Sequence, residues 1–132
     1  MSTADVEILR SALDAGSQGD LGAWFAVADP DIRVYPRPGE PDADKMYRGL
    51  DGLMDYAVNW YSQWDQYHFE AIEIVDAGEH VLVVLRERGR NERTGLEVVE
   101  ELSHSFVMSD GKVTEWHMYD SHEEARAAVG LP

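Results

Sequence analysis

Apolar residues recur at helical spacing over residues 3–16. Val6, Leu9 and Leu13 form one stripe there, with Ile8 beside it and Ser2 or Thr3 placed as a cap. The run "GSQGD" breaks that stripe. Asp20 is then positioned to cap a short second helix carrying Leu21, Trp24 and Phe25, which the spacing ends at Asp29-Pro30. Ile32 to Tyr35 alternates as a strand until Pro36 stops it. Residues 36–44, "PRPGEPDAD", hold three of the five prolines and predict a long rim or lid loop. A third helix follows, its broad apolar face running from Leu50 through Leu53, Met54 and Ala57 to Trp60 and Trp64. Strands are predicted at 67–76, 80–90, 95–108 and 112–120, separated by "DAGEH", "RNERTG" and "SDGK". Asp110-Gly111 is the strongest of these turn signals. Ser121 and Glu124 make a capping box for a last helix ending at Gly130. Helices followed by a strand meander indicate an α+β domain, with helices packed on one face of a curved sheet.

Composition narrows the setting. The 132 residues are enough for one domain, residues 1–132, that buries its own core. The formal net charge of -15, from 26 acidic and 11 basic side chains, repels phosphate backbones and argues against a nucleic-acid partner. No run approaches the roughly 18 apolar residues of a membrane span. There is no cysteine, which removes disulfides and thiol nucleophiles and favours a cytoplasmic home, and no secretory leader is visible. The five histidines show no metal-ligand spacing, and no glycine-rich phosphate loop follows a strand, so neither metal nor cofactor is expected.

The order of "AVADPDIRVYP", "MYRGLDGLMDY", "IVDAGEHVLVVLRERGR", "LSHSFVMSDGKV" and "YDSHEEARAAVGL" resembles the SnoaL-like branch of the nuclear transport factor 2-like superfamily. The resemblance implies a cone-shaped α+β barrel, a strongly bent sheet around the N-terminal helices, with an apolar pocket at the open end. It also implies a homodimer through the sheet's outer surface. The superfamily includes ketosteroid isomerase, polyketide cyclases, scytalone dehydratase, limonene epoxide hydrolase and non-catalytic binding modules, so fold alone leaves function open. Matched to ketosteroid isomerase, the base falls on Tyr35, one oxyanion donor on Ala12 and the protonated acid on His104. Matched to SnoaL-type cyclases, the pocket histidine falls on His104 and the acid/base aspartate on Met118, which cannot move a proton.

The candidate site is therefore centred on His104, which shares a strand face with Leu102 and Phe106. As a histidine it can donate a hydrogen bond or act as a base near neutral pH. Tyr35 is a candidate oxyanion donor and Asp120 a candidate orienting group. Trp60, Trp64, Leu102, Phe106, Trp116 and Met118 are candidate walls for a small apolar or aromatic ligand. Glu87 and Glu100 read as solvated strand residues, with buried acids of raised pKa as the alternative. Arg86, Arg88 and Arg90 share a face suited to cross-strand or dimer pairing. Two functions follow. One is an isomerase, cyclase or hydrolase acting by acid/base chemistry on a carbonyl, phenol or epoxide compound. The other is a non-catalytic binding or dimerisation module.

Overall fold

The computed structural model describes residues 3–38 and 45–132. Its elements are α1 (Thr3–Ser17), α2 (Leu21–Val27), β1 (Ala28–Tyr35), β2 (Tyr47–Arg48), α3 (Gly49–Tyr61), β3 (Gln66–Ala77), β4 (His80–Arg90), β5 (Glu97–Ser109), β6 (Lys112–Met118) and α4 (His122–Ala128). Six strands form one curved, unclosed sheet in the order β2-β1-β6-β5-β4-β3. Every neighbouring pair is antiparallel except β1 with β6.

Local chemistry fixes most of the boundaries. Asp20 caps α2 by accepting from the Ala23 N–H at 3.2 Å, and Ser121 caps α4 by accepting from the Glu124 N–H at 3.1 Å. Asp110 and Gly111 both take positive φ, 52° and 78°, as a tight hairpin turn matching the strand twist requires. Three of the differences from the sequence reading bear on the site. Extended backbone begins at Ala28, not Ile32, because the restriction before Pro30 is already met by residues paired in β1. The third helix stops at Tyr61, so Trp64 lies on the turn that follows. The last strand stops at Met118, leaving Asp120 beyond the sheet. The loop expected at 36–44 falls largely outside the described residues.

The core lies between the sheet's concave face and the first three helices. Leu9 and Leu13 of α1 and Leu53 of α3 pack there with Ile32, Val34, Val83 and Phe106. The helices do not all share that face. α4 covers the convex side, where Ala125 and Val129 pack on Leu82. This explains why Leu102 to Phe106 are buried without alternation: both faces of β5 are covered at that level. Ser103 and Ser105, on the covered convex side, are satisfied by His122 Nδ1 at 2.5 Å and the Tyr119 hydroxyl at 2.9 Å.

Candidate functional site

Strand parity builds the site. Leu102, His104 and Phe106 point to the concave side of β5. Register sets Met118 opposite His104, and Trp116 opposite Phe106. On β4 the same parity carries Leu85 and Glu87, facing Leu102 and Glu100 respectively. Helices α1 to α3 close the other side with, among others, Leu13, Trp24, Tyr56 and Trp60. The cavity they line measures about 100 Å³. Its walls are mainly aromatic and aliphatic, and His104 and Glu87 both reach it.

His104 is held in one chemical form. The Trp116 Nε1–H donates to His104 Nδ1 at 3.0 Å. Burial, helped by the positive charge of Arg37, pushes the histidine pKa down to about 3. The ring is therefore neutral at physiological pH, with its proton on Nε2. A neutral imidazole in that tautomer donates a hydrogen bond from Nε2 and has no free basic nitrogen, so its chemistry is that of a donor. Around it Trp116 packs edge-on to Trp24 and Tyr56, each at 5.5 Å between ring centroids. The Tyr56 hydroxyl donates to Met118 Sδ at 3.0 Å.

The other pole is acidic. Glu87 is only 4% exposed, and the Tyr67 hydroxyl donates to its Oε2 at 2.6 Å. Arg37 Nη1 stands 3.0 Å from Glu100 Oε1, and Glu100 lies directly across the strands from Glu87. Burial raises the Glu87 pKa to about 7; the neighbouring Glu100 adds to the rise, while the Tyr67 hydrogen bond and Arg37 oppose it. The surrounding phenols move the same way. Burial and then the Glu87 charge push Tyr61 up to about 12 and raise Tyr67 further. Both phenols thus stay protonated, and Glu87 is the group in this cavity whose proton is exchangeable near neutrality.

Of the residues singled out from sequence, His104, Leu102, Phe106, Trp116, Met118 and Trp60 line one cavity. Trp64 does not; its ring lies against Gly89, where an added Cβ would come within 2.8 Å of it. Its buried Nε1–H has no hydrogen-bond acceptor among the described residues. Tyr35 stacks on His117 at 4.4 Å, on the face opposite Val34 and the core. Asp120 is exposed and directly precedes the capping Ser121. Neither reaches the cavity. Glu87, read as solvated, is buried instead: it has the parity of Leu85, and the arginines beside it take the outer face. Arg86 there pairs with Glu70 and Glu101, each at 3.3 Å. Among the described residues, no cluster of three or more His, Asp or Glu is arranged to hold a metal, and no helix is long and apolar enough to cross a membrane.

Several solved structures share this architecture. A protein of unknown function with the nuclear transport factor 2-like fold from Burkholderia pseudomallei superposes with a TM-score of 0.77 at 18% identity, covering 98% of each chain. A protein described as a SnoaL-like polyketide cyclase from Jannaschia sp. CCS1 gives 0.75 at 17% identity, over 98% of this chain and 94% of that one. TerC, co-crystallised with polyporic acid, gives 0.76 at 16% identity, over 97% and 99%. At these identities the likeness concerns the fold. A search of curated protein sequences finds no significant match. The SnoaL-like domain profile, however, matches residues 9–116, from within α1 to the Trp116 that holds His104, and the chain belongs to the SnoaL-like domain family.

Proposed function

We propose that this protein is a cofactor-independent enzyme performing acid/base chemistry on a small apolar carbonyl or phenol compound. The observation that carries this reading is one apolar cavity with a neutral hydrogen-bond donor, His104, and a proton-exchanging carboxyl, Glu87, in its wall. His104 Nε2–H binds the substrate oxygen and stabilises negative charge developing on it. Glu87 accepts and returns the proton, its carboxyl held by the Tyr67 hydroxyl. This assignment leaves Tyr35 and Asp120 outside the chemistry. Free space of about 100 Å³, below the roughly 150 Å³ of a cavity that accepts benzene, limits the ligand to a small one. The similarly folded TerC was co-crystallised with polyporic acid, which is consistent with an aromatic ligand class.

The cavity's size also favours a second reading, a non-catalytic module whose pocket is filled by its own aromatics, because ligand sites more often span roughly 300–1,000 Å³. A thermal-shift titration with acetophenone and phenol separates the two. The catalytic reading expects wild type to be stabilised by about 2.7 kcal/mol at a hundredfold excess over Kd, and His104→Leu to lose most of that gain. An unchanged Tm for wild type across both compounds would overturn it. Pairing of two copies through the convex face belongs to the same proposal. Val99, 71% exposed there, supports it, and light scattering of the purified chain tests it.

A further inference from the structure

We infer that the acidic end of the cavity binds a small tertiary alkylammonium ion, its N–H on the Glu87 carboxylate and its methyl groups against Trp60, Tyr61 and Tyr67. This goes beyond the proposed reaction. A cation seated on Glu87 prevents it from accepting a proton, so the amine and the proposed substrate exclude one another.

Charge is the first observation. Glu87 is 4% exposed and lines the cavity. Its Oε2 accepts the Tyr67 hydroxyl at 2.6 Å, and its Oε1 accepts no hydrogen bond from the described residues. Glu100 stands directly across the strands. Its own Oε1, although 3.0 Å from Arg37 Nη1, is buried without a properly aligned hydrogen bond. Among the described residues lining the cavity, Arg37 is the sole Arg or Lys. Two carboxyls therefore face one guanidinium, and ionising both leaves one negative charge unbalanced in an apolar setting. A ligand carrying one positive charge balances it. The formal net charge of -15 draws cations toward the protein as a whole.

The walls choose the kind of cation. Trp60, Tyr61 and Tyr67 line the same cavity as Glu87. Tyr67 stands edge-on to Trp60 at 5.8 Å between centroids and to Tyr61 at 5.3 Å, with planes at 90° and 89°. Both phenols feel the Glu87 charge, after burial the second cause of their raised pKa, so acid and rings share one space. Rings set at right angles beside a carboxylate suit an alkylated ammonium, whose charge is attracted to aromatic faces. Free space sets the size. A cavity of roughly 150 Å³ holds the six heavy atoms of benzene, so about 100 Å³ corresponds to roughly four. Trimethylammonium has that many. Its single N–H is satisfied by one carboxylate oxygen, whereas a primary ammonium would leave further N–H groups unpaired among apolar walls.

Calorimetry at fixed ionic strength compares trimethylammonium chloride with 2-propanol, a neutral molecule of the same heavy-atom count with one donor. Wild type should bind the ammonium at least about tenfold more tightly. Burial raises the Glu87 pKa to about 7, so binding displaces its proton, and affinity should rise about tenfold between pH 6 and pH 8. Of the groups around it, Glu100 is ion-paired with Arg37, the guanidinium stays charged, and Tyr61 and Tyr67 stay protonated throughout. Glu87→Gln should abolish both the preference and the pH dependence. Trp60→Leu should weaken the ammonium roughly two- to thirtyfold and leave the pH dependence intact. Equal affinity for the ammonium and 2-propanol in wild type, or an affinity that does not change with pH, overturns the inference. If phenol or acetophenone still raises the wild-type Tm in a His104-dependent way under that outcome, the proposed function stands without it. If the ammonium binds as expected and neither aromatic compound does, the cation site stands and the catalytic reading falls. The ligand and pH comparisons use wild type alone, so they decide the matter even where Glu87→Gln fails to fold.

Discussion

The two faces of the sheet use the same strands for opposite purposes. On the concave face β4 and β5 present Leu85, Glu87, Leu102, His104 and Phe106 to the cavity. One residue along, they present Arg86 and Glu101 to water and Ser103 and Ser105 to the helix and loop behind the sheet. Histidine shows the contrast best. His104 inside is fixed by an indole donor and held neutral, whereas His117 outside lies against Tyr35 and 3.0 Å from Glu115. The same contrast divides the carboxylates. Glu87 answers to burial, and Glu101 to an exposed arginine. Polarity of the side chain decides little here; strand parity decides its chemistry.

The largest test of that contrast removes a concave wall. Phe106→Ala deletes a fully buried ring packed against Trp24 and Trp116 and should cost about 3–5 kcal/mol in urea unfolding. Next comes pH. Glu87 is raised from 4.5 to about 7, so the native state holds its proton longer and stability falls as pH rises across that window. His104 is lowered from 6.5 to about 3, so its contribution is present above 6.5 and lost as pH falls toward 3. The two slopes oppose each other between about pH 5 and pH 6.5. Glu87→Gln removes the falling slope, worth on the order of 3 kcal/mol, so the variant should gain stability steadily as pH rises there. His104→Gln should show the reverse trend. Parallel stability–pH curves for wild type and both variants would sink the opposed-slope account.

Smaller effects belong to the convex face. Ser103→Ala leaves His122 without its partner beneath α4 and should cost about 1 kcal/mol, with faster amide exchange confined to that helix. Arg86→Ala breaks two ion pairs that are half-exposed on both sides. Its cost should stay below about 1 kcal/mol and shrink with added salt. A loss as large as that of Phe106→Ala would show that the two faces are not so different.

Much of this was legible in the chain, through parity above all. Period-two alternation put Leu102, His104 and Phe106 together, and the Asp110-Gly111 turn fixed where β6 begins. Tyr35 shows where likeness to a relative competed with pattern. In "IRVY" it shares a face with Arg33, opposite the apolar Ile32 and Val34, and the structure follows the pattern. Asp120 was misplaced because nothing local marks the end of β6 at Met118 rather than two residues later. Glu87 had the parity of Leu85, but an acid flanked by arginines in a chain of charge -15 reads as solvated. Its burial depends on Tyr67, 20 residues away, and on the Arg37–Glu100 pair, 63 residues apart in number. Contacts of that range leave no periodic trace in a sequence.

The parallel pairing of β1 with β6 bears on how the molecule is made. Strands β3 to β6 pair with their neighbours in chain order, but β1, beyond its short pairing with β2, joins the sheet only through β6. Until β6 is in place, β1 and β2 have no other edge of the sheet to join, and His104 lacks the Trp116 N–H that holds its Nδ1. Long-range closure of this kind slows the final step of folding. Local pairing therefore favours the β3 to β6 meander first, with β1 and β2 docking on it as the slower, long-range step.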